Sequence, residues 1–192
     1  MHNDISIPYL QTNEMTETYN AILMFEEFLI CSKDDPYYYK WAVLAIHNAL
    51  QCLMVLALKG TSPLSIIIWK DDYNGKTAYE ILSKPDQKLK HFLVLFDMIK
   101  HSASMNNSRL FESNGISRHI KELNQLRNEF VHYQPKHWSI GIKGLSLVFL
   151  DVLKFVDYLV KECLEVRRNF DEHQQKDIIT IIETCNALLS NF

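Results

Sequence analysis

Apolar residues recur every three or four positions over long stretches of this sequence, the spacing that places them on one face of an α-helix. The clearest stretch runs from Leu145 to Cys163, where Asp151, Lys154 and Lys161 fall on the opposite face. Glycine and proline, which punctuate all-β folds, number only five each among 192 residues. The spacing therefore predicts an all-α protein, an antiparallel helical bundle of five or six helices.

The stop and start signals divide the chain into six predicted helices. Asp35 is the predicted N-cap of the second helix, with Pro36 in its first turn, and Gly60 ends that helix. Residues 61–85 are turn-rich and are predicted to form an insertion with a short helix over 77–83. Residues 1–192 are otherwise predicted to form a single domain. The predicted helices cover residues 14–31, 36–59, 86–101, 116–133, 145–163 and 171 onward.

Composition and charge exclude several classes of protein. The four cysteines are too widely spaced for a zinc site or a disulfide scaffold, so reduced thiols are predicted. The apolar stretches 41–58 and 145–160 are interrupted by polar or charged residues, and neither is predicted to span a membrane. The N-terminus has no secretory signal pattern. A cytoplasmic location is therefore expected.

An arginine lies within the apolar stripe of the fourth predicted helix. Arg127 falls on the same face as Leu123 and Phe130, where its permanent charge requires an anion, a carboxylate or a partner surface. Asn128 and His132 are four residues apart and share a face, so the amide is predicted to hydrogen-bond the imidazole. This helix is the predicted functional element.

Arg127 and His132 are five positions apart, which separates them by roughly 140° on a straight helix. They converge on one substrate only if the helix bends before Pro135 or if two copies of the chain meet. A homodimer is therefore part of the hypothesis.

The stretch Arg127-Asn128-Glu129-Phe130-Val131-His132 resembles the Arg-x4-6-His motif of the HEPN superfamily of helical-bundle ribonucleases. Residues 133–140 resemble the continuation in a plasmid- and phage-associated branch of it. The resemblance implies a metal-independent endoribonuclease without a cofactor, acting as a homodimer with a shared active site. It also implies a role as a toxin or anti-phage defence effector, with an antitoxin protein as partner.

The resemblance assigns roles to the residues of the motif. Arg127 holds the scissile phosphate, and His132 acts as general acid or base while the RNA 2′-hydroxyl attacks. Asn128 orients His132 or contacts the phosphate. Further substrate contacts are predicted for four neighbouring side chains: Arg118, Tyr133, Lys136 and His137.

Local charge agrees with an RNA-facing surface. Residues 118–143 hold five basic against two acidic side chains, a local charge of +3, which leaves −6 for the rest because the whole chain carries −3. The alternative interpretation is an ordinary mixed surface on a non-catalytic HEPN-like protein that acts through protein or nucleotide binding.

Other patterns in the sequence compete with this hypothesis. Arg168 and His173 also match the Arg-x4-His spacing, but Asp171 between them reads better as a helix cap. The pair Glu129 and His132 has the spacing found in di-iron bundles, but a second copy is missing from the sequence. The second helix carries three polar side chains, those of His47, Asn48 and Gln51. They either line a pocket or are buried polar groups with hydrogen-bond partners inside the core.

Overall fold

A computed structural model describes residues 10–60, 63–102, 114–132 and 137–190 of the chain. Eight α-helices form in these residues, six of them of nine residues or more, and no β-strand beyond one isolated bridge. The predicted all-α class is confirmed. The helices are α1 (Glu14–Cys31), α2 (Tyr38–Lys59), α3 (Ala78–Leu82), α4 (Phe92–Lys100), α5 (Asn114–Val131), α6 (Ile142–Glu162), α7 (Leu164–Arg167) and α8 (Glu172–Leu189).

Helices α1 and α2 form a helical hairpin. Asn13 begins α1 by accepting a hydrogen bond from the Thr16 N–H at 2.8 Å. Gly60 ends α2 at φ 48° and ψ −133°, a backbone conformation that favours glycine. The prediction that Asp35 caps α2 is wrong, because its carboxylate accepts from the Tyr37 N–H at 2.9 Å and forms a turn before the helix.

The core lies between α2 and the helices around it. The most apolar 18-residue window of helix α2 has a mean hydropathy of 1.8 and the helix is long enough to cross a membrane, but 61% of that window is buried inside the protein. A central helix of a soluble bundle has this character. Phe149 of α6 is fully buried and meets the Phe25 ring of α1 edge-on, with centroids 5.1 Å apart. Tyr39 of α2 stacks on the same Phe149 ring, with centroids 6.4 Å apart. Aromatic packing therefore joins α1, α2 and α6.

The segment between α2 and α4 forms a small lobe of its own. Ile67, Tyr73 and Ile81 are buried together, apart from the main core. Thr77 and Glu80 form a capping box at the start of α3, which matches the short helix predicted over 77–83.

The third long helix is shorter than predicted. It begins at Phe92 rather than residue 86, because the preceding chain is extended and pairs with residues 66–68. The Ile68 N–H donates to the Lys88 carbonyl at 2.7 Å, and the Lys90 N–H donates to the Ile66 carbonyl at 2.8 Å. This pairing fixes residues 88–91 beside α5, where they form one wall of a groove described below.

The four cysteines are free thiols, two of them buried and two partly exposed. Burial raises the pKa of Cys185 to about 12. It also raises the pKa of Cys52 to about 11, with Glu17 and Glu14 acting in the same direction. These thiols are therefore protonated near neutral pH.

Candidate functional site

Helix α5 carries the predicted motif and is anchored by its apolar face. Ile116, Ile120 and Leu123 are almost completely buried, and Phe130 packs against the same core. The helix continues to its last turn, where the His132 N–H donates to the Asn128 carbonyl at 2.8 Å. No bend brings His132 towards Arg127 before the described part of this helix ends.

Arg127 is half-buried and lies against α2 and the segment before α4. Its guanidinium donates a hydrogen bond to the Asn128 Oδ1 at 3.0 Å. Within the described residues Arg127 has no ion pair with a carboxylate. Its charge therefore remains available to an anion.

Arg127 opens into a cavity of about 430 Å³, which we name the Arg127 groove. None of the described side chains that line it is acidic, whereas Lys90 and Arg127 are cationic. Amide groups supply both donors and acceptors. The lining comprises His47, Gln51, Leu89, Lys90, His91, Phe92, Leu93, Asn124, Arg127 and Asn128. Such a lining suits a phosphate with an attached polar group.

His47 forms the floor of the Arg127 groove. Its ring is stacked on Phe92, with centroids 4.0 Å apart and planes at 20°, and its Nε2 lies 3.2 Å from the Asn124 Oδ1. Burial lowers the pKa of His47 from 6.5 to about 4; the hydrogen bond to Asn124 opposes this shift, and the charge of Arg127 adds to it. His47 is therefore neutral at pH 7, with Nε2–H donating to the amide oxygen.

The polar group on α2 combines the two interpretations. His47 and Gln51 line the Arg127 groove, and His47 is at the same time a buried side chain whose ring nitrogen has a hydrogen-bond partner in Asn124. Asn48 instead donates to the Glu17 Oε2 of α1 at 3.2 Å. The sequence contained the polar residues but no sign that they face Arg127.

His132 is exposed and lines a second cavity of about 500 Å³, which we name the His132 groove. Lys121 and Gln125 lie along it, as does Glu129. The predicted bond between the Asn128 and His132 side chains is absent from the hydrogen bonds of the described residues, because the Asn128 Oδ1 accepts from Arg127 instead.

The two grooves are neighbours on α5. Both are lined by Leu93, Asn124 and Asn128, while Arg127 belongs to one groove and His132 to the other. This separation matches the expected angle between the two side chains on a straight helix. Within one subunit, Asn128 is the residue of the motif that borders both.

The remaining predicted substrate contacts are dispersed. His137 is exposed just beyond the end of α5. Arg118 is exposed near its start and lies 3.0 Å from the ring of His119. Tyr133 and Lys136 lie outside the described residues.

The second match to the motif has a structural explanation. Asp171 is the N-cap of α8 and forms a capping box with Gln174. Arg168 pairs with Glu165 at 3.4 Å, and His173 pairs with Asp177 at 2.9 Å. The interpretation of Asp171 as a helix cap is therefore confirmed.

Among the described residues, no group of three or more His, Cys, Asp and Glu side chains is arranged to hold a metal ion. Comparison with known proteins found no matching protein family, no matching curated protein and no matching solved structure.

Proposed function

We propose that this protein is a metal-independent endoribonuclease of HEPN type, with Arg127 and His132 as its catalytic residues. The observation that supports it most is the Arg127 groove: among the described residues, Arg127 has no carboxylate partner and its cavity has no acidic side chain. A phosphodiester is the anion expected there, because guanidinium groups bind its oxygens through paired donors.

In the proposed reaction the RNA 2′-oxygen forms a bond to the adjacent phosphorus, and the bond from phosphorus to the 5′-oxygen breaks. The 2′-hydroxyl proton passes to a base, and the departing 5′-oxygen takes a proton from an acid. His132 performs one of these transfers. Arg127 stabilises the negative charge that grows on the non-bridging oxygens. The products carry a 2′,3′-cyclic phosphate and a 5′-hydroxyl.

Because Arg127 and His132 line different grooves of one subunit, the proposal includes a homodimer. Arg127 of one copy and His132 of the other then face the same phosphate, with Asn128 contacting it or holding Arg127. Such an enzyme would act on RNA in the cytoplasm as a toxin or an anti-phage effector, restrained by an antitoxin protein.

One observation favours a second function. The separation of Arg127 from His132 within a subunit also suits a non-catalytic protein that binds a nucleotide in the Arg127 groove. His132 is then an exposed bystander, and removing it has no effect.

The test compares RNA cleavage by the purified protein with that of Arg127→Ala and His132→Ala. Loss of an acid–base residue is expected to slow cleavage by about 10²- to 10⁴-fold. Arg168→Ala and His173→Ala are matched controls from the second match and should cleave at the unaltered rate. Equal activity of His132→Ala and the unaltered protein refutes the proposal, and cyclic-phosphate ends on the product support it.

Mixing the two inactive variants tests the shared site. Each mixed dimer keeps one intact pair, Arg127 from one chain and His132 from the other. Random exchange makes about half of the dimers mixed, and one of the two sites in each mixed dimer is intact. Roughly a quarter of the activity of the unaltered protein should therefore return. No recovery after verified subunit exchange means that the two residues act within one chain.

A further inference from the structure

Helix α5 presents a straight line of polar side chains to solvent. Its members are spaced by three and four positions alternately, so they fall on one face of the helix, and all five are exposed. From first to last the line covers 14 residue steps, or about 21 Å at 1.5 Å per residue. We name this feature the α5 stripe: Arg118, Lys121, Gln125, Asn128 and His132.

Arg118, at the start of the stripe, is held by the buried His119, which contacts the partly buried Asp151. Its guanidinium lies 3.0 Å from the His119 Nε2, and the His119 Nδ1 lies 2.7 Å from the Asp151 Oδ2 of α6. A guanidinium can only donate, so Nε2 must accept and Nδ1–H must donate to the carboxylate. His119 is only 7% exposed. An exposed arginine is thereby oriented from the protein interior.

The carboxylate of Asp151 also accepts a hydrogen bond from a lysine. Its Oδ1 accepts from the Lys154 Nζ at 2.7 Å. Partial burial pushes the pKa of Asp151 upwards, but the hydrogen bonds from Lys154 and His119 outweigh this effect and hold it below its usual value. Asp151 is thus an ionised anchor whose charge is balanced by Lys154.

Neither cation of the stripe is neutralised by a carboxylate of the described residues. Arg118 and Lys121 form no ion pair with an acidic side chain there. Lys121 lies in the His132 groove, next to Gln125 and Asn128. Two cations therefore precede two amides and an imidazole along one line.

We infer that the α5 stripe binds the backbone of single-stranded RNA, with Arg118 and Lys121 contacting phosphates away from the cleaved bond. This inference rests on the proposed function. The amide of Gln125 can donate to and accept from base edges, which only unpaired bases expose fully. His119 and Asp151 are positioning residues that keep Arg118 in line with the stripe. Glu129 borders the same groove, so the phosphates are expected on the Lys121 side.

The experiment measures binding of a labelled single-stranded RNA to the full chain carrying His132→Ala, at several salt concentrations. Adding Arg118→Ala should weaken binding several-fold and reduce the slope of log affinity against log salt by about 0.7, the value for one phosphate contact on a single strand. Lys121→Ala should do the same. Lys176→Ala removes an exposed lysine of α8 and should change neither quantity.

A second variant tests the positioning role. His119→Gln keeps the charge of Arg118 but removes the imidazole that orients it, so affinity should fall while the salt slope stays unchanged. If that variant does not fold, Arg118→Lys keeps the charge without the planar guanidinium. It should likewise lower the affinity and leave the salt slope unchanged. Equal affinity of the parent and the variant that folds overturns the role assigned to His119.

The outcomes separate this inference from the proposed function. If the protein binds RNA through Arg118 but does not cleave it, the proposed nuclease activity is refuted and RNA binding by the α5 stripe is supported. If the protein cleaves RNA but Arg118→Ala and Lys176→Ala show the same salt slope of binding, the inference about the α5 stripe is overturned. The proposed nuclease activity is then unaffected. Undetectable RNA binding, or equal binding of the same strand annealed into a duplex, also overturns the inference.

Discussion

Acidification should destabilise this protein through His47. Its pKa is lowered by burial from 6.5 to about 4, despite the opposing bond to Asn124, with Arg127 adding to the shift. As the pH falls, the unfolded chain takes up a proton on His47 at a higher pH than the folded protein does. The free energy of unfolding therefore falls as pH drops below 6.5, and the loss levels off near pH 4.

The size of the effect follows from the two pKa values. One pKa unit corresponds to about 1.36 kcal/mol, so protonation of the unfolded chain at pH 5 costs the folded state about 2 kcal/mol. The side chain is 5% exposed, so solvent screening reduces this figure little. A loss of this size is a substantial part of the stability of a typical domain.

Urea unfolding at pH 7 and pH 5 measures the loss. His47→Gln cannot titrate, so the difference in its free energy of unfolding between the two pH values should be smaller than that of the unaltered protein by about 2 kcal/mol. His137→Gln removes an exposed imidazole in the same way and controls for the loss of a histidine. The explanation is refuted if His47→Gln and the unaltered protein lose the same free energy on acidification.

Three further changes test the packing of the bundle. Gly115→Ala should lower the free energy of unfolding by about 1 to 3 kcal/mol in urea titrations. Its new Cβ would lie 2.8 Å from the Asp151 Oδ2, whereas Gly144→Ala meets nothing within 4 Å and should be neutral or stabilising. Phe149→Ala should lower the same quantity by about 3 to 5 kcal/mol, because a fully buried ring leaves a cavity; a loss below 1 kcal/mol contradicts this packing. The Cys185 thiol, with its pKa raised to about 12 by burial, should react with a disulfide reagent at pH 8 only after unfolding, and rapid labelling of the folded protein would contradict its burial.

Much of the fold could be predicted because its signals are local. Apolar spacing predicted α1 over residues 14–31, as observed at Glu14–Cys31, and the acidic cap predicted the start of α8 at Asp171. Local signals failed where a distant segment competes for the backbone. Residues 88–90 pair with residues 66–68 instead of extending α4, and their sequence carries no trace of that partner.

The candidate site divides in the same way. Helical periodicity alone predicts that Arg127 falls on the apolar side of a helix and that His132 points in another direction. The surroundings of Arg127 depend instead on how the helices pack. His47 meets Asn124 across 77 positions of sequence, and long-range packing of this kind cannot be deduced from spacing along one helix. That packing buries His47 and leaves Arg127 in a groove that has no acidic side chain in the described part of the chain, because α2 and the segment before α4 close around α5.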